Sequence, residues 1–235
     1  MDNDGRIQVC GQRYRQRRQA GKAGWADEAS YRQKRDRLDL ILSGGRIPAP
    51  CRFLELGCGN GNVTLSMARD GHEAYGIDLV PEAIDWARQQ AKEQRLEAQF
   101  AVGSVVPLEP YADNFFDLVF DANCLFMIIG YDRARCVANV HRVLKPGGIF
   151  YAEAHLVNEQ IKERFVFAGN EFFDPQGQYS TCQGQPMYYY SREREFTDLI
   201  EGAGFRILRQ GKEPPSAAHE DMPFGAGSMW MEAIK

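Results

Sequence analysis

The chain has 235 residues, 44% apolar and 26% charged, a length and balance that let one sizeable domain bury its own core. No apolar run reaches the roughly eighteen residues of a membrane span, and the opening Met1-Asp2-Asn3-Asp4-Gly5 is polar and unlike a secretory leader, so a cytoplasmic address is expected. Six cysteines without a C-x-x-C pair argue against a zinc knuckle or disulfide framework, and a formal charge of −4 argues against nucleic acid as partner.

The charge is uneven. Residues 1–37 hold ten Lys and Arg against five Asp and Glu, which leaves −9 on the remainder. A basic arm of this kind either touches phosphates or presents a solvated face. Residues 1–24 carry few apolar side chains and are expected to be mobile or loosely docked. Residues 25–45 then read as a helix, capped by Asp27 or Ser30, with Tyr31, Leu38, Ile41 and Leu42 inward and Gly44-Gly45 as the stop.

From residue 51 strands and helices alternate, the mark of a parallel sheet with crossover helices. Strands are predicted at 51–56, 73–78, 98–104, 115–121 and 149–155, and helices at 62–71, 81–95 and 132–144. Pro81 opens one helix at no cost, and Lys145-Pro146-Gly147-Gly148 turns the chain into the fifth strand. The stretch 156–190, rich in aromatics, Gln and Gly, breaks this rhythm. Ser191 then caps a helix over 192–204, followed by two strands at 205–213 and 227–235 that suit an antiparallel pair.

The segment FLELGCGNGN, residues 53–62, combines a strand, a lone carboxylate and three alternate glycines. Its spacing is G-x-G-x-G, and Asn62 stands where the third glycine of a dinucleotide fingerprint would fall. Asp78 ends the second strand, where a carboxylate can accept both hydroxyls of a ribose. A pyrophosphate beside Glu55 meets repulsion of about 1 kcal/mol or more, whereas a ligand carrying an ammonium and a sulfonium finds a favourable field. S-adenosylmethionine is such a ligand; NAD is disfavoured.

Four ordered stretches, LELGCGNGN, YGIDLVPEAIDWAR, FFDLVFDANCL and HRVLKPGGIFYAEAH, resemble the successive motifs of class I S-adenosylmethionine-dependent methyltransferases. YYYSREREFTDLIEGAGFRIL is similar to the helix and strand that come next in their small-molecule branch. The resemblance implies a Rossmann-like, doubly wound α/β fold. Its seven-stranded sheet is mostly parallel, with helices on both faces and an antiparallel strand near the C-terminus. It implies S-adenosylmethionine as cofactor and S-adenosylhomocysteine as product. Glu55, Gly57, Cys58, Gly59 and Gly61 would line the methionine portion, Asp78 would hold the ribose, and Leu79 would pack on adenine. Ser104 and Val105 stand where the family often has an acid that meets the adenine amino group. Asp121, Ala122 and Asn123 would face the methyl-donor end, or simply form a turn. On this reading residues 1–45 form a basic arm and helix that serve as a lid. Residues 46–235 form the methyltransferase domain, with 156–190 as a substrate cap.

Methyl transfer is an in-line displacement in which the protein mainly aligns the acceptor, so a base is needed only for a nucleophile with a tightly held proton. His155, ending the fifth strand at the ligand-binding edge, is the candidate base; Glu153 two residues back would orient it or face the helix layer. His141 is expected to be a structural helix residue. Asp121-Ala122-Asn123-Cys124 lacks the D/N-P-P-Y pattern of amino-group methylation on nucleobases, and Thr181-Cys182 lies in the wrong place for cytosine chemistry. Phe165, Phe167, Phe172, Phe173, Tyr179, Tyr188, Tyr189 and Tyr190 would roof a pocket, fill the cap's own core or make a homodimer contact. Tyr14, Trp25 and Tyr31 would close over the cofactor. The expected activity is methyl transfer to O, N or S of a small organic acceptor. The alternatives are a methyltransferase acting on RNA or protein, and a non-catalytic module binding S-adenosylmethionine.

Overall fold

A computed structural model describes residues 3–121, 123–168, 171–214 and 225–235. Five parallel strands, β1 (Arg52–Leu56), β2 (Glu73–Asp78), β3 (Ala98–Val102), β4 (Phe116–Asp121) and β5 (Leu144–Val157), take the order β5-β4-β1-β2-β3. β11 (Gly225–Ile234) pairs antiparallel to β5 and to β10 (Arg206–Glu213), which completes the seven-stranded sheet.

Alternation along the strands sorts side chains to two faces. Leu54, Leu56, Val119, Phe150 and Ala152 pack with Val137 and Val140 of α5 (Asp132–Val143) and with Phe196 and Ile200 of α6 (Glu193–Gly202). Phe53, Leu118, Phe120, Ile149 and Tyr151 pack with Leu38 and Ile41 of α2 (Glu28–Ser43) and with Val63 and Met67 of α3 (Asn62–Arg69). α4 (Pro81–Gln94) joins Leu65 and Phe100 through Ile84 and Ala87. Both faces of the parallel strands are thus covered, and the ligand-binding edge is left to the loops after β1, β2 and β4.

Asp27 caps α2, accepting from Ser30 N at 2.8 Å. Lys145 to Gly148 lie inside β5, as a bulge between the pairs Phe116–Leu144 and Leu118–Ile149. Ser191 does not cap α6: Arg192 holds that position, and the Ser191 hydroxyl instead accepts from Arg133 Nη2 at 2.8 Å.

Two further expectations are corrected. Residues 3–19 are not loose but form helix α1 (Asn3–Gln19), whose Cys10 and Tyr14 are buried with Val80, Ala83, Trp86 and Met187. Gly11 lets the helix lie against Glu82, since a β-carbon there would sit 2.7 Å from the carboxylate, and Arg15 pairs with Glu82. The stretch after β5 is not irregular either. β6 (Phe165–Ala168), β7 (Glu171–Asp174), β8 (Tyr179–Cys182) and β9 (Gln185–Tyr189) form a four-stranded antiparallel sheet. Gln183 and Gly184, both at positive φ, make the two-residue turn between β8 and β9.

Candidate functional site

Glu55 points to the α2 and α3 face of β1 and is 3% exposed. Gly61, at the N-cap of α3, has no side chain to receive the helix's first N–H groups. Glu55 Oε2 takes that task across space, accepting from Thr64 N at 2.8 Å and Thr64 Oγ1 at 2.5 Å. Burial pushes its carboxyl up to about 7, against the pull of the Thr64 hydrogen bonds and the Lys34 ammonium on α2. A helix N-terminus is the usual seat of a phosphate. Here a carboxylate already occupies it.

The loop between β1 and α3 folds back on itself through Gly57, Gly59 and Gly61, all at positive φ. Space as well as conformation requires glycine. A β-carbon at Gly57 would lie 2.7 Å from Cys124 Cβ, and one at Gly59 would lie 2.6 Å from Tyr14 Oη. Cys58 is buried, and its amide donates to Ile77 O at 3.0 Å.

Asp78 joins this loop to β2. Its Oδ2 accepts from Gly59 N and its Oδ1 from Val80 N, both at 2.9 Å. Burial raises its pKa while these bonds oppose the shift. Two backbone bonds leave further lone pairs on the carboxylate. Leu79, beside it, is half-buried. Gly103 N donates to Asp78 O at 2.9 Å, which brings the turn after β3 alongside; there Ser104 Oγ accepts from Val106 N at 3.2 Å and Val105 is buried.

At the end of β4, Asp121 is wholly buried and committed to its own turn. Oδ1 accepts from Cys124 N at 2.8 Å and Leu125 N at 2.9 Å, and Oδ2 from Glu153 N at 3.3 Å. Its geometry supports the turn-forming reading. Asn123 follows at φ 69°, and its buried Oδ1 has no hydrogen-bond partner among the described residues. An acceptor without a protein donor at a strand end is open to a donor from water or from a ligand. Ala122 lies outside the described residues.

His155, near the end of β5, meets Phe126 edge-on at 4.5 Å between ring centroids, and Phe126 stacks on Tyr188 of β9 at 5.3 Å. Glu153 is half-buried on the α2 side of β5, its pKa raised by desolvation, with Lys34 and Ser228 opposing. His141 packs edge-on to Phe205, a structural setting. Thr181 Oγ1 accepts from Phe172 N at 2.9 Å within the four-stranded sheet. Phe173 and Tyr190 form a small buried cluster with Val157. The side chains of Phe165 and Phe167 lie outside the described residues.

The N-terminal segment covers the glycine loop. Tyr14 stacks obliquely on Trp25 at 4.9 Å, and Tyr31 Oη donates to Asn60 Oδ1 at 3.4 Å. Asn60 and Asn62 both donate to Ala23 O at 2.9 Å, a clasp that sequence reasoning missed. Phe126 and Arg6 were missed too, although Asn60-Gly61-Asn62 at a helix start was a visible signal for the clasp.

A glycine loop opening a helix, with a carboxylate on the neighbouring strand, defines a doubly wound α/β protein whose ligand crevice lies at the carboxyl ends of β1, β2 and β4. Residues 54–152 match the family described as "Methyltransferase domain". An uncharacterized methyltransferase of Synechocystis sp. is 34% identical over 112 residues, 48% of each chain. An S-adenosyl-L-methionine-dependent Diels-Alderase of Talaromyces variabilis is 28% identical over 171 residues, 68% of this chain and 54% of that one. The chain therefore spans about half the length of these relatives. The 1,6-didemethyltoxoflavin-N1-methyltransferase of Burkholderia thailandensis has the same fold, with a TM-score of 0.68 at 23% identity over 97% of this chain and 86% of that one. Residues 54–152 are thus similar to S-adenosylmethionine-dependent methyltransferases, and the chain shares their fold. Among the described residues, no helix is long and apolar enough to cross a membrane.

Proposed function

We propose that the chain transfers the methyl group of S-adenosylmethionine to O, N or S of a small organic acceptor. The observation that carries this reading is the Glu55 carboxylate held on Thr64 at the start of α3. It occupies the donor a pyrophosphate would need and leaves an acidic surround suited to a cationic nucleoside. Asp78 accepts from the ribose hydroxyls, Leu79 and Val105 flank adenine, and Ser104 lies beside its amino group. The backbone of Gly57, Cys58, Gly59 and Gly61 faces the methionine portion, and the Asn123 amide oxygen receives its ammonium. Asp121 supports the turn that carries Asn123. The bound sulfonium supplies an electrophilic methyl and its own leaving group. The protein's part is to align the acceptor and exclude water, and the Tyr14–Trp25 cover over the loop serves both. His155, beside Phe126 and the cap strand β9, takes the proton of an acceptor hydroxyl or amine.

The toxoflavin-type neighbour is named for methylation of a small heterocycle, which supports the acceptor class. The relative named as a Diels-Alderase shows why cofactor binding alone is an insufficient readout. The test is incubation with methyl-labelled cofactor and fractionated small metabolites. Label in an organic acceptor is expected; label confined to RNA or protein, or none at all with tight cofactor binding, overturns the reading.

A further inference from the structure

Helix α1 carries a hydroxyl to the glycine loop and leaves its hydrogen bonding undone. Cys10 and Tyr14 stand one turn apart on the inward face of the helix, buried with Val80, Ala83 and Trp86 around the start of α4 and with Met187 of β9. Arg6 Nη2 donates to Met127 O, Arg15 pairs with Glu82, and Arg17 donates to Gly24 O, so the helix is docked along its length.

The Tyr14 ring is fixed between this cluster and Trp25, 4.9 Å away between ring centroids. Its Oη is thereby held over the loop between β1 and α3, where a β-carbon on Gly59 would meet it at 2.6 Å. Tyr14 is only 6% exposed, yet its hydroxyl makes no hydrogen bond among the described residues. Other phenols of the chain are served. Tyr31 Oη donates to Asn60 Oδ1 and accepts from Ala26 N, and Tyr189 Oη donates to Glu195 Oε1. A phenol this deeply buried ordinarily finds a partner. Burial and the nearby Asp78 carboxylate hold its pKa well above the usual phenol value, so at neutral pH it keeps its proton and can donate.

The loop beneath it offers little to an anion. Cys58 N donates to Ile77 O at 3.0 Å, Gly59 N to Asp78 Oδ2 at 2.9 Å and Gly61 N to Cys58 O at 2.9 Å. Thr64 N, in the first turn of α3, donates to Glu55 Oε2 at 2.8 Å. Glu55, Asp78 and Asp121 spend their oxygens as acceptors and repel negative charge when ionised. The methionine end of S-adenosylmethionine carries an ammonium and a carboxylate on one carbon. The ammonium suits this acidic surround and the Asn123 amide oxygen; the carboxylate needs a donor from outside the loop. Cys124, next to Asn123, lies against Gly57 as Tyr14 lies against Gly59, so the acceptor and the donor border the same loop.

We propose that the Tyr14 hydroxyl donates a hydrogen bond to the carboxylate of the cofactor's methionine end, so that the cofactor itself helps to hold α1 closed over the crevice. The inference rests on the S-adenosylmethionine reading and deepens it by making the N-terminal helix part of the cofactor site. A neutral donor serves the carboxylate without cancelling the acidic field that suits the sulfonium.

The test uses the full chain and Tyr14→Phe, which keeps the ring on Trp25 and removes only Oη. The ligands are S-adenosylhomocysteine and 5′-methylthioadenosine, which shares the nucleoside and the sulfur but lacks the amino-acid end. In calorimetry Tyr14→Phe is expected to weaken S-adenosylhomocysteine by about tenfold or more and to leave 5′-methylthioadenosine within about twofold. In wild type, saturating S-adenosylhomocysteine is expected to slow the reaction of Cys10 with a thiol reagent more than saturating 5′-methylthioadenosine does. In Tyr14→Phe the two ligands are expected to give equal rates. Without ligand, Cys10 is expected to react equally in both proteins. Unchanged S-adenosylhomocysteine affinity, or wild-type rates that do not distinguish the two ligands, overturn the proposal. An equal loss for both ligands overturns it by moving the hydroxyl to the nucleoside. Faster reaction of Cys10 in the unliganded variant overturns it by showing that the hydroxyl docks the helix to the protein. Failure of both ligands to bind wild type overturns instead the cofactor reading beneath it.

Discussion

Substituting Glu55→Gln separates the folding cost of the buried carboxyl from its use. Glu55 has an ordinary value of 4.5 and is pushed up to about 7 by burial in the folded chain. A group raised on folding binds its proton more tightly in the native state. Its contribution is therefore fully present below about pH 4.5 and is lost as pH rises through about 7. Between pH 5 and pH 8 that loss integrates to about 2.5 kcal/mol for one such group. Glutamine keeps an acceptor for Thr64 N and cannot ionise, so the variant lacks this slope. Urea unfolding without cofactor should show Glu55→Gln gaining about 2 kcal/mol relative to wild type on moving from pH 5 to pH 8. Asp78, Asp121 and Glu153 are raised in the same direction and remain in both proteins, so the difference isolates Glu55. An equal difference at both pH values would refute the claim that burial raises the pKa of this carboxyl on folding. The same variant should lose affinity for S-adenosylmethionine, a gain in stability at the expense of the site.

Asp78→Ala should weaken S-adenosylhomocysteine by about 1.5 to 3 kcal/mol in calorimetry, and an unchanged affinity would remove Asp78 from the site. Gly59→Ala forces a β-carbon onto Tyr14 Oη at a positive φ, so Cys10, 6% exposed, should react faster with a thiol reagent as α1 lifts; a protected Cys10 would contradict the docking described for α1. Arg133→Met should lower stability by about 1 to 3 kcal/mol in thermal unfolding by leaving Leu125 O and Ser191 Oγ unpaired, and an unchanged midpoint would contradict its bracing role.

The sheet was legible in the sequence because its strands are buried on both faces. Runs such as 53–56 and 116–121 are apolar with polar interruptions only at Glu55, Asp117 and Asp121. Helix α1 was not legible, since its inward face holds only Cys10 and Tyr14 as buried apolar residues and its docking uses a glycine and arginines. The four-stranded sheet was hidden because its strands span four or five residues and its β8–β9 turn is Gln-Gly, without the Asn-Gly signal. The types of Asp78 and Asp121 and their strand-end positions are alike, yet their bonds differ. Asp121 is spent on Cys124 and Leu125 N–H groups that only the turn's path brings within reach. Glu55 was read as a field acting on a ligand; its hydrogen bonds to Thr64 add that it fills the helix end itself.

That occupancy is tested most directly by titrating the wild-type chain at pH 7.5 with S-adenosylmethionine and, separately, NAD. One equivalent of S-adenosylmethionine should bind, and NAD should neither give heat nor displace it. Saturable NAD binding that excludes S-adenosylmethionine would show that the start of α3 remains open to phosphate.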